Sequence, residues 1–333
     1  MTESIVLGRQ RTLRSVAAVA IGIAIVVGGC RDEAPLVVAD GGPAADARAP
    51  AAAPDMAGDP GPRPVGGTVG PTGGTVDRLF FAFTGDTRPS NADDTANYPI
   101  ATVNNIFARV AAADVEFAID LGDHMYIVNQ PADAVVQMGY YTAAAKQLGA
   151  RPLFMTLGNH DCGAGNCAYN PMDPNYLAYM AALKPISDSP YYAFTVATRS
   201  GPARFVIISD NFTGNLFTWL EQTLTDADAT ARYTIVCRHH PRKSPQQSTM
   251  LTEATLARHK YSLFLTGHYH QYQHDLVNDP SGRTVVYGLG GVPSSGPDWG
   301  YGTVQQGLDD RLYVTVYDAS SDTPTDRWSV DPR

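Results

Sequence analysis

Three short apolar runs in this chain each stop at a glycine followed by a polar side chain suited to binding a ligand. Leu79-Phe80-Phe81-Ala82-Phe83 leads to Gly85-Asp86. Phe117, Ala118, Ile119 and Leu121 lead to Gly122-Asp123, and residues 151–157 lead to Gly158-Asn159-His160-Asp161. Runs this short and apolar read as strands buried on both faces, the pattern of a parallel sheet. Between them lie two helical segments. Ile100, Val103, Ile106, Phe107 and Val110 fall at helical spacing within residues 98–113, and residues 132–148 are closed by Gly149. The order β-α-β-α-β puts all three strand ends on one rim of an α/β sheet. Ligands of such sheets bind just beyond the carboxyl ends of the strands. Asp123 therefore sits where a carboxylate can bridge two metal ions, and the other polar segments are read around it.

Downstream the pattern becomes richer in strands. A short helix is expected near 175–183, strands at 191–198 and 204–209, and an amphipathic helix at 215–224 with Leu216, Trp219, Leu220 and Leu224 on one face. The strand at 233–237 ends in Arg238-His239-His240-Pro241, and that at 262–266 ends in Gly267-His268-Tyr269-His270. Further strands are expected at 271–277, 284–289, 311–317 and 327–330, forming a second sheet packed on the first. Residues 211–215 and 291–306 are the expected walls of the site. No internal repeat is visible.

The first 29 residues read as a targeting segment, not as part of the fold. Arg9, Arg11 and Arg14 precede an apolar stretch at 15–27, too short for a comfortable membrane span. Val27-Gly28-Gly29-Cys30 resembles a bacterial lipobox, in which cleavage leaves Cys30 as the lipidated first residue. The expectation is an exported protein held to the bacterial envelope by a lipid, on its periplasmic or cell-surface side. Residues 30–77 are rich in Ala, Pro and Gly and read as a disordered tether, which leaves 78–333 as the folded domain. The net charge of -9, with no basic patch, argues against a nucleic-acid partner. Cys162 and Cys167 bracket a Gly-rich loop, and an oxidising compartment favours a disulfide between them. A pair of zinc thiolates is the rival reading, but no second cysteine pair completes it. Cys237, inside an apolar strand, reads as a buried free thiol.

The polar strand ends collect Asp86, Asp123, Asn159, His160, His239, His268 and His270. Imidazoles and carboxylates together suit Zn, Fe or Mn. The series Gly85-Asp86, Gly122-Asp123-x-x-Tyr126, Gly158-Asn159-His160-Asp161, Val236-x-x-His239 and Gly267-His268-x-His270 resembles the calcineurin-like metallophosphoesterases, and Tyr126 resembles the purple acid phosphatase branch. The resemblance spans about residues 79–291. It implies an α/β fold of two packed mixed sheets flanked by helices, a four-layer αββα sandwich, with two metal ions. Asp86 and His270 would hold the first metal, Asp123 would bridge, and Asn159, His239 and His268 would hold the second. Val236-x-x-His239 and His239-x-Pro241 both select His239, leaving His240 beside the site or simply packed.

The first motif reads Asp86-Thr87-Arg88 and lacks the histidine of the commonest family form. In the purple acid phosphatase branch a tyrosine at the position of Tyr126 fills that gap as a phenolate. This implies Fe(III) paired with Zn, Mn or Fe(II), or a divalent pair if Tyr126 is only a packed aromatic. The implied reaction is hydrolysis of a small phosphate ester, phosphomonoesterase or acid-phosphatase-like, with metal-activated hydroxide as nucleophile. His160 would assist the leaving group. Asp161 would orient His160, or else cap the loop. Arg88 would clamp a phosphate oxygen, or else lie exposed at the surface. Phosphodiesters and nucleotides suit the same core, and a catalytically silent metal-binding scaffold is the non-enzymatic alternative. His268, His270 and His274 only superficially resemble a three-histidine zinc run. His274 and His259 read as ordinary surface or strand histidines, and His124 has no assigned role. Gly288-Leu289-Gly290-Gly291 precedes no helix and is not a nucleotide loop.

The lipobox generates a direct expectation. Cys30→Ser should move the protein from the membrane fraction to the soluble periplasm; wild type found soluble and unlipidated by mass spectrometry would refute the anchor.

Overall fold

The computed structural model describes residues 58–162, 172–209, 215–240, 247–270, 272–275, 284–287 and 300–332. In chain order the elements are β1 (Gly67–Gly70), β2 (Gly73–Val76), β3 (Phe80–Thr84), α1 (Ile100–Ala112), β4 (Phe117–Asp120), α2 (Asp133–Ala145), β5 (Leu153–Met155), α3 (Pro174–Leu183), β6 (Tyr192–Thr198), β7 (Gly201–Ile208), α4 (Asn215–Thr230), β8 (Tyr233–Arg238), α5 (Gln247–Leu256), β9 (Leu263–Thr266), β10 (Gln273–Asp275), β11 (Thr284–Tyr287), β12 (Gly300–Gln306), β13 (Leu312–Asp318) and β14 (Pro324–Val330). They form a six-stranded sheet in the order β14-β13-β12-β3-β4-β5 and an eight-stranded sheet in the order β1-β2-β6-β7-β8-β9-β11-β10. Strands β3, β4 and β5 run parallel, as do β7, β8 and β9.

The period-two alternation of a strand decides the layers. Phe81 and Phe83 of β3 enter the core between the sheets, whereas Phe80 and Ala82 face the layer of α1, α2 and α3. On β7, Phe205 and Ile207 point into the same inter-sheet core, and Val206 and Ile208 meet Leu216, Leu220 and Leu224 of α4. The result is helix, sheet, sheet, helix. An aromatic column joins the sheets: Phe117 stacks on Phe81 at 5.1 Å and meets Phe205 edge-on at 5.2 Å, and Phe194 stacks on Phe154 at 3.7 Å. Burial of each ring contributes roughly 1.5–3 kcal/mol, so the column holds the two sheets in a fixed relation.

Four expectations need correction or completion. The tether does not run to residue 77, because β1 and β2 form an antiparallel hairpin and β2 pairs in parallel with β6. Its composition hid it: Val69 and Val76 are buried, but the glycines between them lower the local apolar content. Gly73 is required there, since a Cβ would lie 2.0 Å from the Thr195 carbonyl oxygen. Of the expected wall 291–306, residues 291–299 lie outside the described residues, and residues 300–306 are a strand whose start meets the end of β3, Thr84 Oγ1 donating to the Gly300 carbonyl at 3.0 Å. This strand is β12, paired with β3 on one side and β13 on the other. Helix α5 carries no apolar stripe and was not anticipated, and α4 continues six residues beyond the expected end at 224. Cys162 is disulfide-bonded, with its expected partner Cys167 outside the described residues, and Cys237 is free and buried as expected. The lipobox, Cys30, most of the tether, residues 211–214 and Gly288 to Gly291 also lie outside them. Among the described residues no helix is long and apolar enough to cross a membrane.

Glu116, at the foot of β4, accepts a hydrogen bond from the Phe80 amide at 2.6 Å. Burial pushes its carboxyl up to about 8, against the pull of that amide and of Arg78. The folded state thus holds a proton that the unfolded chain releases near the ordinary value of 4.5, and stability falls as pH rises from there to about 8. Glu116→Gln keeps the acceptor and removes the titration. Urea unfolding should show the variant more stable than wild type at pH 8 and no more stable at pH 4. Parallel curves at both pH values would refute the assignment.

Candidate metal centre

The rim above β3, β4, β5, β8 and β9 gathers the polar strand ends. Asp86 and Asp123 are buried and adopt left-handed backbone angles, φ 54° and 60°; His268 and His270 do the same, φ 79° and 53°. Such conformations are uncommon for residues with a Cβ and persist only when their surroundings fix them. Here the backbones lock one another. Asp86 N donates to the Gly122 carbonyl at 2.8 Å and Arg88 N to the Asp123 carbonyl at 3.0 Å. The Asp86 carboxylate accepts from His268 N at 3.0 and 2.9 Å, tying the first motif to the last. Two glycines make the approach possible. A Cβ on Gly158 would lie 2.2 Å from Asp123 N and Oδ1, and one on Gly267 would lie 2.8 Å from Asp86 Oδ2.

Four ligand atoms converge on one side. Asn159 Oδ1 lies 3.0 Å from His239 Nε2 and 2.9 Å from His268 Nδ1; these two nitrogens are 3.3 Å apart. Asp123 Oδ1 lies 3.4 Å from His239 Nε2. His239 Nδ1 is 2.7 Å from the Leu121 carbonyl, so Nδ1–H donates there and Nε2 is left to face the cluster. On the other side His270 Nε2 is 3.5 Å from Asp86 Oδ1. Ligand atoms of Asp86, Asp123 and His239 all lie within 4.8 Å of one another. A set of oxygen and imidazole acceptors turned toward a shared centre fits a cation.

Charge follows geometry. Burial opposes ionisation of Asp123, yet the His239 and His160 imidazoles and the Arg88 guanidinium hold its carboxyl well below the usual range. Burial likewise opposes charge on His239, but the Asp123 carboxylate raises it to about 9. Burial, with His239 and His240 nearby, lowers His268 to about 2, and burial lowers His160 to about 4. The metal-free site thus keeps one proton on His239, which a cation would displace.

The residues around the ligands divide into those expected and those missed. His160 donates its backbone N–H to Asp123 Oδ1 at 2.9 Å, and its ring lies 4.0 Å from that of Tyr126. Arg88 is not an exposed arginine. It is 8% exposed, its Nε is 3.4 Å from Asp123 Oδ2, and its guanidinium lies 4.6 Å over the Tyr126 ring. Tyr126 is therefore packed against His160 and Arg88 together, and its hydroxyl makes no hydrogen bond among the described residues. Asp161 takes the loop-cap reading: its carboxylate accepts from the amides of Gly158, Asp123 and His124 at 2.8, 3.0 and 2.8 Å. His240 is buried, its ring 4.7 Å from His268. His274 stands apart with Asp326, and His259 is buried beside Asp228, 2.8 Å from Nδ1 to Oδ2. His124, left without a role by the sequence, has one in the structure. It is fully buried, Nε2 2.9 Å from Asp120 Oδ1 and Nδ1 2.9 Å from Asp161 Oδ2. Burial works against its charge, but the Asp161 and Asp120 carboxylates hold it well above its ordinary value. The available signal was Asp120 itself, a carboxylate inside an apolar strand that needs a buried partner.

The profile of the calcineurin-like phosphoesterases matches residues 81–272. Among solved structures, purple acid phosphatase PPD1 from yellow lupin (Lupinus luteus) seeds superposes with a TM-score of 0.58 at 15% identity, covering 76% of this chain and 53% of the lupin one. This chain therefore spans about half the length of that protein. GAP50, the anchor in the inner membrane complex of Plasmodium, gives 0.55 at 16% identity over 77% and 90% of the two chains. A dimetal phosphatase from Danio rerio gives 0.54 at 13% identity over 77% and 99%. At these identities the likeness establishes the fold. No curated protein matches the sequence.

Asp123 faces both groups of ligand atoms, so its loss should reach both. In Asp123→Asn, metal content by elemental analysis should fall by more than the ~10–100-fold in affinity typical of lost outer contacts. Wild-type metal content in a folded variant would refute the bridging position.

Proposed function

Since the chain belongs to the calcineurin-like phosphoesterase family, and is a metallophosphoesterase on that ground, we propose that it hydrolyses phosphate monoesters at a dinuclear metal site on the rim. The observation that carries this reading is the convergence of Asn159 Oδ1, His239 Nε2 and His268 Nδ1 beside Asp123. Asp86, His270 and Tyr126 are the proposed remaining ligands of the first ion, Asp123 the bridge, and Asn159, His239 and His268 the holders of the second. When bound, the two ions supply Lewis acidity to the phosphoryl oxygens and activate water at neutral pH. The Tyr126 hydroxyl, without a hydrogen bond among the described residues, supports a phenolate ligand, and hence Fe(III) with Zn, Mn or Fe(II) as its companion.

The chain's own groups divide the remaining tasks. Arg88 is anchored through Nε to Asp123 and through Nη1 to the Pro89 carbonyl at 3.0 Å. Its Nη2, without a partner among the described residues, is the proposed donor to a phosphoryl oxygen. His160, lowered to about 4, is neutral at pH 7. It would therefore stabilise the leaving oxygen by donating a hydrogen bond from a neutral ring, not by delivering a proton from an imidazolium. Export and a lipid anchor at Cys30 belong to the same proposal, resting on the lipobox.

Metal analysis of the purified protein, beside turnover of a chromogenic phosphomonoester and its diester counterpart, tests the reading. Two bound ions and a preference for the monoester are expected. Two bound ions with no turnover of either ester would make the protein a scaffold. For Tyr126→Phe, the iron-loaded protein should lose its visible phenolate-to-iron band and about tenfold or more in rate, as loss of one ordering contact does at metal sites. Unchanged colour, metal content and rate would leave Tyr126 as a packing residue.

A further inference from the structure

Beneath the rim lies a buried chain of three ionisable groups that the proposed chemistry does not use. Asp120, at the end of β4, His124 and Asp161 are each fully buried. Asp161 Oδ2 receives Gly158 N at 2.8 Å, Asp123 N at 3.0 Å and His124 Nδ1 at 2.9 Å, while Oδ1 receives His124 N at 2.8 Å. One carboxylate therefore holds the backbone of the turn that presents Asp123 and the backbone of the turn that presents Asn159 and His160. Asp120 Oδ1 receives Gly122 N at 2.8 Å and lies 2.9 Å from His124 Nε2. The rings of Tyr141 and Tyr179 close over His124 at 4.5 and 5.7 Å, and Tyr98 Oη donates to its carbonyl at 3.0 Å.

We propose that His124 is a positioning residue: its ring, bridging Asp120 and Asp161, clamps the Asp123 turn to the Asn159–His160 turn and so fixes the spacing of the ligand atoms above. The two ring nitrogens of His124 each face one of the two carboxylates, at 2.9 Å. Asp161 can hold both turns only if its carboxylate stays aimed at their amides, and His124 Nδ1 supplies the side-chain contact that aims it. Asp120, 2.9 Å from the far nitrogen, pairs the ring by charge with the strand itself. A single-ended donor would take one buried carboxylate's contact with the ring away, and an apolar residue would take both. The inference rests on the metal-site reading for its functional consequence, but the clamp is a property of the metal-free chain.

The experiment therefore has two independent arms on the full chain. In the metal-free protein, hydrogen exchange followed by mass spectrometry should show His124→Leu opening residues 120–126 and 157–161 by about tenfold, with the strands of both sheets unchanged. In the second arm, Zn²⁺ titration should show affinity lowered ~10–100-fold, with kcat on a chromogenic phosphomonoester falling and KM held. Asp161→Asn should reproduce both effects, and the double variant should be no worse than the more severe single one, because both act through one contact. His124→Gln, which keeps one donor, should show the same changes at smaller size; it carries the test if His124→Leu does not fold. Exchange raised evenly over the whole domain with Zn²⁺ affinity intact would overturn the proposal, as would unchanged exchange in the two turns. Absence of turnover in wild type would overturn the phosphoesterase reading and leave the exchange and Zn²⁺ results to decide the clamp.

Discussion

A carboxylate sealed from water must be met by positive charge or by N–H groups, and Asp123 is met by both. The His160 amide donates to one of its oxygens, His239 stands by the same oxygen, and Arg88 approaches the other. Burying a lone carboxylate costs several kcal/mol even after relaxation. The surrounding segments are thus selected by electrostatics as much as by shape. Arg88 comes from the loop after β3, His160 from the loop after β5 and His239 from the end of β8. Satisfying this one charge already brings three separated stretches of sequence to the same point.

That convergence depends on the two sheets keeping their relation. Asp86, Asp123, Asn159 and His160 follow strands of the six-stranded sheet, whereas His239, His268 and His270 follow strands of the other. No single sheet carries the whole of the proposed ligand set. The column of Phe81, Phe117, Phe154, Phe194 and Phe205 is what holds the two rims at a working distance. Packed interiors have low compressibility, so a slide between the sheets would have to break this aromatic contact first. The core between the sheets and the polar centre at their edge are two ends of one mechanical unit.

The parts of this unit legible in the sequence share a cause. A buried parallel strand that ends in a polar, ligand-type residue is a local pattern, and all five such ends, four of them through a glycine, were readable from neighbouring residues. What escaped was held by distant or polar contacts. The β1–β2 hairpin carries two buried valines among glycines, so its strand character comes from β6 and not from itself. β12 is glycine-rich at its start because Gly302 faces the Phe83 ring, where a Cβ would lie 2.3 Å from it. α5 is fastened by Arg238, which donates to Thr252 Oγ1 at 2.7 Å and to Glu253 Oε1 at 2.6 Å. A helix docked through a buried guanidinium shows no apolar stripe to find. His124 escaped for the same reason: its partners are four residues before it and thirty-seven after it.

The backbone of the centre shows why so many fixed contacts are concentrated there. Among the described residues, seven with a side chain adopt positive φ, and four of them are Asp86, Asp123, His268 and His270. Each such residue costs of order 1–3 kcal/mol and is retained only where its neighbours over-determine it. The hydrogen bonds from Asp86 N to Gly122, from His268 N to the Asp86 carboxylate and from Asp123 N to Asp161 supply that determination. A left-handed residue reverses the chain at the strand end, turning its side chain back over the rim. Four reversals of this kind gather the side chains of the proposed ligands Asp86, Asp123, His268 and His270 at one rim. The strain is thus carried by the folded protein itself, and a cation bound at the proposed site would meet side chains already gathered, with little loop ordering left for its binding energy to support.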